Sequence, residues 1–457
     1  MDTRGVNRPS DAVVVTAPIA AADLERMQAL LLFGLGAMPL SRHIMATFHD
    51  PQRARRWLAQ LAPTVTNAGP TGKSATSKIA TQIAFTSDGL AFLGLPRADL
   101  TTFGQSFAEG MCTDHRSRLL GDVGAQAPER WSWGGLTNPV HALVVAFAET
   151  EPTLAVHAGH LTDSMVRAGM RVVRELATYV PDDSREHFGF TDGISQPVLR
   201  GAPPIRTASD AQWSLVDPGE FVIGIADSTT RSLGALGSFL VVRELHQDVA
   251  ELRRFEERVG LPVIEKMVGR RTDGTPLAGD GDGGASNDFG YANSDPDGER
   301  CPIGAHIRRA NPRDGRRDSP ADTLDSTKRH RLLRRGRSFG PPLRPGLLDD
   351  GEERGLLFAC LNADLVRQFE FVQHHWLNSP LFAAPGESDP LLGRRDGDGP
   401  NTFTMPADPA RMRVAGLQQF VTMRGGAYFF LPSIPLLYHL AGRTTDDGRG
   451  SFPRSAL

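Results

Sequence analysis

Three places in the chain hold residue types able to do chemistry. The first is Asp192, inside GFTDG (Gly189 to Gly193). A carboxylate there can take up and return a proton, although an Asp-Gly pair is first of all a turn signal. The second is His157 and His160, three apart on a helical pattern. That spacing can hold a metal, but no carboxylate or third histidine stands at a supporting interval, so the pair reads as helix surface. The third runs from His306 to Arg337, HIRRANPRDGRRDSPADTLDSTKRHRLLRRGR, with ten arginines and one lysine against four aspartates. Cations at that density can track phosphates, grip small carboxylates in bidentate fashion or form a solvated face. No aromatic residue lies among them to stack on bases, and no nucleic-acid module is recognisable.

The elements that must position these residues follow from hydrophobic patterning. A strand is expected over His43 to His49, then Asp50-Pro51 opens a helix through Trp57 and Leu61. Strands follow near Thr81 to Thr86, before a short helix at Asp88 to Leu93, and at His141 to Ala148. A long amphipathic helix is then expected to end near Tyr179. The second half repeats the grammar: strands at Gly237 to Leu245, Gly355 to Leu361 and Gln419 to Leu431. Helices follow them through Val249–Val259, Leu365–Trp376 and Ile434–Leu440. Each half thus reads strand–helix three times, which antiparallel sheets covered by helices satisfy; the expectation is α+β with two similar domains.

The chain has 457 residues and a net charge of −3, with 50 Lys+Arg against 53 Asp+Glu. That length suits two to four domains, and the balance argues against a whole-surface nucleic-acid binder. Cys112, Cys301 and Cys360 lie too far apart for a zinc knuckle or redox pair and cannot all be bridged, which fits a reducing compartment. No apolar run is long enough to span a membrane, and Ala12 to Asp23, broken by Pro18, makes no secretory signal. A cytoplasmic protein is expected. Residues 1–20 read as a loose arm, and the tail GRGSFPRSAL carries no clear address. Gly269 to Gly298 is a long excursion; its DGDGG (Asp280 to Gly284) puts glycine where a calcium loop needs an oxygen ligand, so it reads as a surface loop.

Five ordered blocks carry a family resemblance. GFTDGISQP (Gly189 to Pro197), CPIGAHIRRANPR (Cys301 to Arg313) and RLLRRGRSFG (Arg331 to Gly340) form its centre. GLLFACLNADLVRQFEFVQHHWLNSP (Gly355 to Pro380) and FVTMRGGAYFFLPS (Phe420 to Ser433) close it. LERMQALLLFGLGAMPLSRHIMATFHDP and IAFTSDGLAFLGLP resemble the opening segments. Together these resemble the dye-decolorizing peroxidases over roughly residues 22–443, and most of all the longer bacterial subgroup related to the fungal enzymes.

The resemblance implies heme b, one per chain, in two ferredoxin-like domains, residues 21–225 and 226–457, with the heme held mainly by the second. It implies His306 as the axial iron ligand. That imidazole would donate its other nitrogen to an orienting acceptor, either a backbone carbonyl or a carboxylate such as Asp389. Asp192 would move the proton between the peroxide oxygens, with Gly193 beside it at the cofactor. Arg334, or Arg331 or Arg335 close by, would stabilise the developing negative charge. Arg313 resembles a propionate ligand, and Phe358 would cover the heme. Trp376 and Tyr428 are the candidate surface relays for bulky donors, Trp376 having half-burial on its helix as the alternative. The implied reaction reduces hydrogen peroxide and oxidises dyes and phenols by single electrons, with no nucleic acid or membrane as partner. A heme carrier of the same fold would need neither Asp192 nor Arg334.

Overall fold

The computed structural model describes residues 19–442, except 70–77, 203–210, 226–231, 280–286, 316–319, 345, 348, 385 and 396–400. The expected arm up to residue 18, the DGDGG loop and the C-terminal tail therefore lie outside the described residues.

The first half builds β1 (Leu40–Thr47), α1 (Pro51–Leu61), β2 (Ile79–Phe85), β3 (Ala142–Ala148), α2 (Glu151–Arg167) and β4 (Arg171–Tyr179). Local chemistry starts α1: Asp50 Oδ1 accepts from the backbone N–H of Gln52 at 2.8 Å and of Arg53 at 2.9 Å, with Pro51 at the first helical position. The helix expected to end near Tyr179 stops at Arg167 instead. Gly169, at φ +76°, turns the chain, and RVVRELATY becomes β4. The second half builds β5 (Ser238–Gln247), α3 (Val249–Val259), α4 (His306–Ala310), β6 (Leu333–Arg334), β7 (Arg337–Phe339), β8 (Gly355–Asn362), β9 (Val421–Leu431) and α5 (Ile434–Leu440). Between β8 and β9 the expected helix is two π-helical turns, Val366–Glu370 and Val372–Leu377.

Strand pairing shows that the two halves share one topology. The first sheet runs β2-β3-β1-β4 and the second β9-β5-β8-β7, each 4-1-3-2 in its own numbering with antiparallel neighbours. That is the ferredoxin-like β-α-β-β-α-β arrangement, twice over. The sheets meet edge to edge at two seams, Tyr179 beside Ser338 and Phe85 beside Phe430, so the strands close into a ring. Met45, Val145, Phe147, Leu240, Leu357 and Phe429 fill the inside. Ile44, Val144, Val241 and Tyr428 face outward against the helices. Both faces are buried, which is why β3 reads ALVVAFA without polar alternation.

His43, on the inner face of β1, packs edge to face on Phe147 and shares a 3.2 Å hydrogen bond with Thr178 Oγ1. Burial, aided by the Arg337 cation, drives its pKa from 6.5 down to about 3. Below about 6.5 the unfolded chain binds a proton that the folded chain refuses until about 3, so stability falls as pH drops through that window. The loss near pH 5 is about 2 kcal/mol. Chemical denaturation near pH 5 and near pH 7 checks this: His43→Leu should shrink the difference, and an unchanged difference would refute it.

Candidate active site

One cavity of about 300 Å³ opens against the outward face of the second sheet. Arg243, Leu245 and Gln247 of β5 and Leu356 and Phe358 of β8 form one wall. Alternate residues of a strand share a face, so Arg243 to Gln247 covers roughly 13 Å of that wall. The loop from Glu186 to Ser195 closes the cavity from the first half, and α4 brings His306 to it. Gly193, Arg313 and Arg334 line it as well.

His306 stands at the first position of α4 with Nδ1 2.9 Å from Asp389 Oδ2. Of the two kinds of acceptor left open by the sequence, the structure supplies the carboxylate. Asp389 is fully buried, and its Oδ1 accepts from the backbone N–H groups of Leu391 at 3.0 Å and Leu392 at 2.8 Å. Burial opposes a charged imidazole, but the Asp389 charge and hydrogen bond outweigh it and raise the His306 pKa. With Nδ1 engaged, Nε2 is the ring nitrogen left for a ligand.

Asp192 and Arg334 meet in the same cavity, Nη2 donating to Oδ1 at 3.3 Å. Asp192 Oδ1 also accepts from the Gly193 N–H at 2.6 Å, and Gly193 itself sits at φ +79°. The two motifs that carry this pair are tied together. Gln196 Oε1 accepts from the Arg334 backbone N–H at 3.1 Å, and Arg334 Nη1 donates to the Ser195 carbonyl at 3.3 Å. The two motifs thus hold the pair from both sides. Of the alternatives to Arg334, Arg331 lines the same cavity but donates to the backbone carbonyls of Trp213 and Ser195 rather than to Asp192. Arg335 donates to carbonyls of the first half, those of Leu30 and Leu31.

The arginine cluster is neither a solvated face nor a phosphate track among the described residues. Arg308, Arg309, Arg313, Arg331 and Arg337 are all buried. Arg313 donates to the carbonyls of Asn287 at 3.0 Å and Phe289 at 2.5 Å, and its guanidinium lies 3.7 Å from the Phe289 ring centroid. Arg270 likewise donates to the Gly274 carbonyl and to Asn287 Oδ1. Burial pushes Arg331 down to about 9, helped by the charges of Arg313 and Arg334, and pushes Arg313 down to about 10. Cations held this way favour an anionic ligand, which relieves both the burial and the mutual repulsion. Gln247 Oε1 and Asn311 Oδ1, both in residues lining the cavity, are buried acceptors without a protein partner. An apolar wall, one imidazole with a free nitrogen and carboxylate-seeking arginines fit a heme with its propionates.

Phe358 lies on the cavity wall, opposite Arg243 in the strand pairing and 6.3 Å from Phe369. The surface-relay expectation is corrected by burial. Trp376 is 3% exposed, packed edge to face on His330 and Phe371, and Tyr428 is 2% exposed with its hydroxyl donating to Glu370 at 3.0 Å. The π-helical turns shift side chains off the 3.6-residue period, which sends Trp376 inward. Trp57, Trp131, Trp133 and Trp213 are buried as well. Sequence reasoning missed Glu186, on the cavity wall. It accepts from Gln247 Nε2 at 2.6 Å and from the backbone N–H groups of Phe188 and Phe190 at 2.9 and 3.0 Å. Burial raises its pKa. Its position three residues before GFTDG was the available signal.

Comparison with known proteins gives the same answer from outside the cavity. The family model for the C-terminal part of Dyp-type peroxidases matches residues 183–393, which span both Asp192 and His306. The multifunctional dye peroxidase of Amycolatopsis sp. is 32% identical over 300 residues, covering 56% of this chain and 61% of that protein. The dye-decolorizing peroxidase of Auricularia auricula-judae is 27% identical over 467 residues, covering 93% of this chain and 88% of that protein. In fold, the DyP-type peroxidase of Anabaena sp. superposes with a TM-score of 0.79 over 95% of this chain and 98% of its own, at 22% identity. Doubled topology, ordered motifs and these likenesses agree: the chain is similar in sequence and in fold to the dye-decolorizing peroxidases.

Proposed function

We propose that this chain is a heme b peroxidase that reduces hydrogen peroxide to water and takes single electrons from bulky aromatic donors such as dyes and phenols. The observation that carries it is the convergence in one cavity of the Asp389-oriented His306 and the Asp192–Arg334 pair. When bound, heme supplies the iron redox chemistry. His306 Nε2 would hold the iron, with Asp389 fixing the ring through Nδ1 and making it a stronger donor. Asp192 takes the proton from one peroxide oxygen and returns it to the other, which leaves as water. Arg334 Nη2 stabilises the charge that builds as the bond parts. Arg313 and Arg331, on the cavity lining, would receive the propionates, and Phe358 keeps that wall dry. Residues 21–225 contribute the Asp192 loop, and 226–457 most of the cofactor seat. The three free cysteines support a reducing, cytoplasmic setting. Among the described residues no helix is long and apolar enough to cross a membrane.

The test is a visible spectrum of heme-loaded protein before and after one equivalent of hydrogen peroxide, at acidic and neutral pH. A bound-heme band that shifts with peroxide and returns on adding a phenol is expected. Bleaching alone would favour a heme carrier, and absence of heme uptake would overturn the proposal.

A further inference from the structure

The side of the cavity behind His306 holds four charged side chains, of which the proposed reaction uses only Asp389. Asp389 is 0% exposed and Glu387 2%; Arg309 is 0% exposed, and Arg395 is half-buried. His306 and Arg309 stand one turn apart on α4, so a single helix presents both to the loop that carries Asp389. Arg309 donates to the Glu387 carbonyl at 2.6 Å, to the Trp376 carbonyl at 2.7 Å and to the Gly304 carbonyl at 3.2 Å. Arg395 donates to the Asp389 carbonyl at 2.5 Å, and to Ser388 Oγ. The two guanidiniums therefore grip the chain at the Asp389 carbonyl and at the carbonyl two residues before it. Glu387 is satisfied separately by Thr402 Oγ1 at 2.9 Å and by Thr404 N and Oγ1 at 3.0 and 2.6 Å. Its charge also favours the charged state of both guanidiniums.

We propose that Arg309 and Arg395 are positioning residues for the axial ligand, which set the reduction potential of the bound iron by tempering the pull of Asp389 on His306. The inference rests on His306 as iron ligand. A carboxylate that draws strongly on the Nδ1 proton gives the imidazole more anionic character, which stabilises the ferric state. Two backbone N–H groups on the carboxylate, and two cations bonded to the backbone carbonyls of Asp389 and Glu387, share its charge and weaken that draw. Both arginines feel the Asp389 charge as a favourable influence that opposes their burial. No carboxylate oxygen is bonded to either guanidinium, so their field acts on Asp389 without taking its hydrogen-bonding oxygen from His306.

Arg395 is the residue to vary, because Arg309 ties several carbonyls together and its loss risks the fold. In heme-loaded protein, Arg395→Gln should shift the ferric-to-ferrous ratio at fixed potential about tenfold toward ferric. That is about 59 mV for a one-electron couple, read by spectroelectrochemistry. Arg395→Lys, which keeps the charge, should restore most of it. In an Asp389→Asn background the Arg395→Gln shift should largely disappear, because the carboxylate it acts through is gone. An unmoved potential in Arg395→Gln, or a shift of equal size without Asp389, overturns the inference while leaving the peroxidase reading intact. If His306→Ala still binds heme with an unchanged spectrum, the ligand assignment fails and takes this inference with it.

Discussion

Asp192→Asn should slow the peroxide-driven spectral change by about 10²–10⁴-fold while leaving heme uptake as it was. The substitution keeps the shape of the side chain. An amide oxygen can still accept from the Gly193 N–H and from Arg334 Nη2, so the loop and its tie to β6 survive. What is lost is the ability to carry a proton from one peroxide oxygen to the other. Stopped-flow absorbance with varied hydrogen peroxide measures the step directly. Arg334→Leu removes charge stabilisation instead, and its backbone N–H keeps the contact with Gln196. A single-variant rate within a factor of about two of the parent would remove Asp192 from proton transfer.

His306→Ala should abolish tight heme binding, the largest effect expected of any single change in the cavity. The arginines and apolar wall remain, so weak, spectroscopically altered association is the most that should survive. The variant also strands Asp389, a fully buried carboxylate that loses one of its three donors. An unsatisfied buried acceptor costs about 1–3 kcal/mol. The apo protein should melt lower, and His306→Ala/Asp389→Asn should recover part of that stability without recovering heme. Heme titration and melting curves on the same samples separate the two roles. Parent-like heme affinity in His306→Ala would show that another side chain holds the iron.

The strands that bury both faces were legible from their unbroken apolar runs, and α1 from its Asp50-Pro51 start. Where the reading slipped, two patterns overlapped. RVVRELATY satisfies a helical period as well as a strand, and only Gly169 marks the break. Strands as short as Leu333–Arg334 and Arg337–Phe339 carry too few residues to show alternation, yet they give the second sheet its fourth position. Of the site, Asp192, His306 and Arg334 came from motifs. Asp389, 83 residues beyond His306, is a partner that only folding brings near. The inward turn of the arginine cluster was hidden for a related reason: its acceptors are backbone carbonyls, which every sequence possesses and none displays.

The closed ring of strands also bears on how a doubled chain of this kind can arise. Either four-stranded sheet taken alone would expose an inner face of Leu, Val and Phe, and two rows of unpaired backbone groups where the seams now lie. Pairing two such units covers both surfaces at once, which makes duplication of one unit a direct route to the closed ring.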